Sequence, residues 1–211
     1  MEKKEAVTTM KSAIVLSALA AASALSAPVS AGLIDARDGK EGDVNIGVDA
    51  SGQLVIEFGG EPVALPAISG LLSGFGLDEP GFFALEEDEP DENIFVLGPG
   101  ASIVLEVLSF DPALKAWTPG FADILDQPGD TWTIGAAPFD THPFWHIDAN
   151  DPTFIAPPGQ SEWNATFRLL DTGTTGYLPS EPVTVTFTPE PGTLGLLIAA
   201  GLVGRRRRLN G

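Results

Sequence analysis

The chain has 211 residues and a mass of 22.0 kDa, enough for one ordinary domain with short appendages. With 44% hydrophobic and 19% charged residues, 24 glycines and 18 prolines, it falls outside the coiled coils and the disordered chains, and its punctuation suits short strands and many turns. Residues 32–191 carry 27 acidic against four basic side chains, which excludes nucleic acid as a partner, and the absence of cysteine excludes disulfides and thiolate sites.

At the N-terminus, Lys3, Lys4 and Lys11 precede an apolar run over residues 13–25, and Val29-Ser30-Ala31 supplies small residues before Gly32. This three-part layout predicts a secretory signal peptide over residues 1–31, helical in its apolar part and cleaved before Gly32. The run falls short of the roughly 20 residues that a spanning helix needs. Met10-Lys11 opens a more conventional charged region than Met1, so either methionine can serve as the start.

Residues 32–188 form the acidic body, where apolar residues recur with a period of two. Segments 43–48 and 53–58 flank Asp49-Ala50-Ser51-Gly52, a loop suited to a hairpin. Residues 66–90 hold many Gly, Leu and Phe without a clean period and are expected to form a long connection with one short helix. Within it, six carboxylates in the seven positions 86–92 require solvation. A short strand is expected at 94–97. Residues 102–110 are apolar on both faces and predict a central strand. Residues 112–130 read as a strand end followed by a Pro/Gly-rich excursion; 131–134 and 144–148 read as short strands.

Further on, Trp163, Ala165, Phe167 and Leu169 alternate with Asn164, Thr166, Arg168 and Leu170. Val183, Val185 and Phe187 likewise alternate with Thr184, Thr186 and Thr188. Half-buried antiparallel strands require this alternation. The expected fold is all-β: an antiparallel β-sandwich, jelly-roll or immunoglobulin-like, with a signal helix before it and a short hydrophobic helix after it.

The chain closes on Pro189-Glu190-Pro191, an uncharged stretch over residues 193–204, and Arg205-Arg206-Arg207-Arg208. Twelve residues of helix cover roughly 18 Å, short of a hydrocarbon layer of about 30 Å, which makes a marginal or transient anchor. The arginines are expected to stay cytoplasmic. Pro189 and Pro191 are expected to end sheet pairing and hold the motif clear of the body. In this order and position, Pro189-Glu190-Pro191, the apolar helix and the arginine block resemble the PEP-CTERM sorting signal. That resemblance implies recognition of residues 189–211 by an exosortase-type enzyme and processing for export to the cell surface or extracellular matrix. In the body, Asp78-Glu79-Pro80-Gly81-Phe82, the central strand, Asp140-Thr141-His142-Pro143-Phe144-Trp145-His146 and the last strand are similar to uncharacterised PEP-CTERM surface proteins of planctomycete type.

Candidate chemistry is sparse. No Gly-x-Ser-x-Gly, Walker loop or His-Glu-x-x-His occurs, so no catalytic residue is assigned. The two histidines, His142 and His146, sit between Asp140 and Asp148, and these four are the candidate ligands for a divalent transition metal. In a continuous strand the histidines would lie roughly 13 Å apart, whereas Asp140/His142 and His146/Asp148 are closer pairs at roughly 6.6 Å. A bend at Pro143 is the alternative. Oxygen-rich stretches at 35–45 and at Asp148-Ala149-Asn150-Asp151 suit calcium but lack the closing glutamate of an EF-hand. Solvated acidic turns and hydrogen-bonded histidines are the competing reading. Trp117, Trp132, Trp145 and Trp163 offer either core packing or a face for stacking sugars.

The sequence thus predicts an exported protein of the cell envelope or extracellular matrix, held transiently at the inner membrane and acting as a non-enzymatic structural or adhesive module. Its expected partners are the export machinery, an exosortase-type enzyme, the membrane before processing, and an extracellular polysaccharide. The alternative is a sandwich that holds a divalent metal, calcium or a transition ion, or a glycan.

Overall fold

In the computed structural model, which describes residues 43–190, the period-two segments become strands that bury their apolar sides. In chain order the elements are β1 (Val44–Val48), β2 (Leu54–Glu57), β3 (Val63–Leu65), β4 (Ala67–Ile68), β5 (Gly74–Leu77), β6 (Phe82–Ala84) and β7 (Ile103–Phe110). Then come β8 (Leu114–Trp117), a 3-10 turn (Pro119–Phe121), β9 (Ile124–Leu125), β10 (Thr131–Gly135), β11 (Asp140–Thr141), β12 (Phe144–Asp148), β13 (Trp163–Asp171) and β14 (Val183–Pro189). The described residues are all-β, and they contain no α-helix.

Three sheets result, in the orders β11-β6-β1-β2, β10-β7-β13-β14-β3 and β4-β5-β12-β8-β9. In β13 the alternation is complete, with Trp163, Ala165, Phe167 and Leu169 all buried. That face carries the core. Phe82 of the first sheet meets Phe167 edge-on at 5.6 Å, and Trp145 of the third meets Phe187 at 4.7 Å between ring centroids. Both smaller sheets therefore pack on side chains of the β10-β7-β13-β14-β3 sheet. Each large side chain so buried is worth about 1.5–3 kcal/mol in transfer free energy.

Four expectations need correction. Pairing is mixed: β1 runs parallel to β6, and β14 runs parallel to β3, while the other pairs are antiparallel. Residues 66–90 contain no short helix but the strands β4, β5 and β6, broken up by prolines and glycines. At Gly74 the backbone has φ 139°, and a Cβ would lie 2.0 Å from the Ile147 carbonyl oxygen, so only glycine allows β5 to close on β12. Residues 94–97 are no strand but isolated bridges, Val48 with Phe95 and Glu89 with Ile94, beside Asn93 at φ 59°.

The fourth correction concerns the end of the body. Pro189 is buried as the last residue of β14, paired with Leu65, and the Glu190 N–H donates to the Leu65 carbonyl at 2.9 Å. A proline fits because donors alternate along a strand. Glu190 faces β3, so position 189 faces the β13 side, where pairing has ended with Trp163 opposite Phe187. No acceptor is left stranded by the missing N–H.

The turn at 49–52 forms as expected, with Asp49 Oδ1 accepting from the Ser51 and Gln53 N–H groups at 2.9 Å each. The run 86–92 is largely exposed. The signal peptide over 1–31, Pro191, the apolar helix over 193–204 and Arg205 to Arg208 lie outside the described residues. No helix among the described residues is long and apolar enough to cross a membrane.

Candidate functional site

The parallel pairing of β1 with β6 determines what meets at one edge of the first sheet. It sets Asp43, the residue before β1, beside the 78–81 turn that leads into β6, and the Val44 N–H donates to the Gly81 carbonyl at 2.9 Å. On the other side of β6, β11 pairs antiparallel and carries Asp140, and His142 follows it. Three segments remote in sequence therefore contribute Asp43, Glu79, Asp140 and His142 to one cluster. One ligating atom from each of Asp43, Asp140 and His142 lies within 4.8 Å of the other two.

The His142 ring is the centre. Its Nε2 lies 3.0 Å from Asp140 Oδ1. Its Nδ1 lies 3.0 Å from the Asp78 carbonyl oxygen, 3.5 Å from Glu79 Oε1 and 3.9 Å from Asp43 Oδ1. Gly81 makes room for it, because a Cβ there would come within 2.5 Å of the imidazole. The Gly81 N–H is shared between Asp43 Oδ1 at 3.0 Å and Glu79 Oε2 at 3.2 Å. Burial, and the Asp43 carboxylate against it, hold the Glu79 carboxyl above the usual carboxylate range.

Of the four ligands expected from sequence, the structure joins Asp140 with His142 and places His146 and Asp148 elsewhere. His146 is buried in β12 with Nε2 3.3 Å from the Ser73 carbonyl oxygen, and burial pushes its ring below the usual imidazole range. Asp148 binds Lys115 Nζ at 2.7 Å, and Asp151 lies 3.3 Å from the same ammonium. The 148–151 stretch therefore already has its cation. Of the 35–45 stretch, Asp43 enters the cluster, the Asn45 side-chain amide donates to Glu57, and residues 35–42 lie outside the described residues.

Glu79 was missed as a member of the cluster because it stands in a turn, 61 positions before Asp140, and only β6 brings the two together. Its legible signal was Asp78-Glu79-Pro80-Gly81, a turn in which glycine permits close approach.

Among the tryptophans, Trp145 and Trp163 are buried, and Trp132 packs on Phe82 at 5.8 Å. Trp117 is half-buried, and Phe121, 53% exposed, lies 5.7 Å from both Trp117 and Phe144. Three of the four thus serve the core.

Comparison with protein-family models, with curated proteins and with solved structures gave no match.

Proposed function

We propose that this chain is an exported protein of the cell envelope or extracellular matrix, sorted through a PEP-CTERM-type tail. Its body is an acidic β-sandwich serving as a non-enzymatic structural or adhesive module. The tail carries this reading: Pro189 at the end of β14 opens the motif with Glu190 and Pro191, and an apolar stretch and four arginines follow. The signal-peptide layout at the other end supports the same route. For the sandwich, the support is that both smaller sheets pack on the β10-β7-β13-β14-β3 sheet through Phe82 and Trp145. The acidic surface favours solubility outside the cell and suits an extracellular polysaccharide bridged by cations. An exosortase-type enzyme and the export machinery are the partners of the tail, and the inner membrane holds it only until processing.

The test uses a host that carries such an enzyme. A chain ending at Glu190 keeps all of β14 and its bond to Leu65, so it is expected to fold and be released to the periplasm or medium. Glu190→Ala with Pro191→Ala spares Pro189 in the sheet and is expected to leave unprocessed protein in the membrane fraction. If both variants reach the location of the wild-type chain, the sorting role is wrong.

A further inference from the structure

The cluster at Asp43, Glu79, Asp140 and His142 has two features that its own hydrogen bonds leave unresolved. The Asp43 side chain is 1% exposed, although the residue's backbone reaches solvent, and its Oδ2 is buried without a hydrogen-bond partner among the described residues. A buried carboxylate oxygen in that state is costly unless a cation or donor meets it. The second feature is the ring: both nitrogens of His142 face oxygen acceptors, and because a neutral imidazole has one N–H to give, either a second proton or a cation must sit at the other nitrogen.

One bound cation resolves both. Gly81 takes Asp43 Oδ1 and Glu79 Oε2, which leaves Asp43 Oδ2 and Glu79 Oε1 free of that N–H. Glu79 Oε1 and the Asp78 carbonyl oxygen lie 3.5 and 3.0 Å from His142 Nδ1. Ligands on an ion with bonds of about 2.1 Å stand about 3–3.5 Å from one another, so these two atoms stand from Nδ1 as co-ligands would, and Asp43 Oδ1, at 3.9 Å, has only to move in slightly. On the far side of the ring, Asp140 Oδ1 is placed to hold the Nε2–H at 3.0 Å, the usual outer partner of a metal-bound histidine.

We propose that this chain binds one divalent transition ion, of the zinc or manganese type, between His142 Nδ1, the Asp43 and Glu79 carboxylates and the Asp78 carbonyl, with Asp140 orienting the ring. A nitrogen ligand among oxygens favours such an ion over calcium. The site ties the start of β1, the turn into β6 and the segment after β11 to one another, so its role is structural. It stands on this geometry alone and does not depend on the sorting route.

The test uses the exported chain purified without a histidine tag and stripped with chelator. Titration with zinc chloride is expected to show one site per chain, and zinc should raise the thermal midpoint until chelator is added. Asp43→Asn and His142→Gln should each weaken zinc binding at least tenfold, while Glu86→Gln in the exposed acidic run leaves it unchanged. Asp43→Asn also guards against mere misfolding. Its amide oxygen can still accept the Gly81 N–H and the change removes repulsion from Glu79, so the metal-free thermal midpoint should not fall. Absence of zinc binding would overturn the proposal, as would equal zinc affinity in Asp43→Asn and His142→Gln, which means ions scattered over an acidic surface. Calcium binding as tight as zinc would overturn the choice of ion.

Discussion

Trp145→Ala should remove about 3–5 kcal/mol from the unfolding free energy, a large share of the roughly 5–15 kcal/mol that a domain has. The ring is 1% exposed and lies 4.7 Å from Phe187, 6.2 Å from Phe110 and 6.4 Å from Phe167. Truncation empties the contact between β12 and the β10-β7-β13-β14-β3 sheet, and that space can close only in part. It also removes the donor that bonds the Pro80 carbonyl at 2.9 Å and so helps tie the core to the turn that presents Glu79. Trp145→Phe separates the two contributions. It keeps much of the packing, loses the N–H, and should cost clearly less than Trp145→Ala. Urea denaturation checks both, with the midpoint falling at an unchanged slope. A loss below about 1 kcal/mol in Trp145→Ala would mean that the sheets are not joined through this ring.

Asp171→Ala should cost about 2–3 kcal/mol, and Asp171→Asn should flatten part of the acid limb of the stability profile. The carboxylate closes β13 onto the loop that follows. It accepts from the N–H groups of Ser102 at 3.0 Å, Gly173 at 2.9 Å, Gly176 at 3.0 Å and Tyr177 at 3.3 Å, and from the Thr175 hydroxyl. Burial works against the charged form, yet these donors outweigh it and lower the carboxyl from 3.8 to about 2. The sign follows from that direction. Unfolded, the group takes its proton near 3.8; folded, it resists until about 2. Its stabilisation is therefore complete above pH 4 and is lost as the pH falls towards 2, by about 1–2 kcal/mol after discount for solvent screening. Thermal midpoints of wild type and Asp171→Asn, measured from pH 5 to pH 2, should converge as the pH falls. Parallel curves would mean that Asp171 is not held by these donors.

What the sequence made legible was the part of the fold governed by local alternation. In β13 every second side chain is apolar and every one of those is buried, so the period alone located the core face. β14 followed for the same reason, and β7 from a run apolar on both faces. The region 66–90 was not legible, because β5 is half glycine and β6 has three residues, all buried. Neither offers an alternation to read, and their placement depends on partners far along the chain.

The candidate site divides in the same way. Asp140 and His142 are two positions apart, and local geometry sufficed to pair them. Asp43 and Glu79 join them only through the parallel β1–β6 and antiparallel β6–β11 pairings, which no spacing encodes. His146 shared a motif with His142, but between them the chain passes from β11 in the first sheet to β12 in the third, where burial and the Ser73 carbonyl account for His146. Likewise, a proline in Pro189-Glu190-Pro191 reads locally as the end of pairing. The alignment of β14 with β3 leaves its missing N–H without consequence.

The most direct test of the export reading is the covalent form of the mature protein. Intact mass and terminal sequencing should be carried out on protein recovered from the envelope or medium of a host with an exosortase-type enzyme. A chain that begins at or within a few residues of Gly32 and has lost Arg205 to Arg208 is the expected result. A chain found in the cytoplasmic fraction, beginning at Met1 or Met10 and still carrying the four arginines, would contradict it.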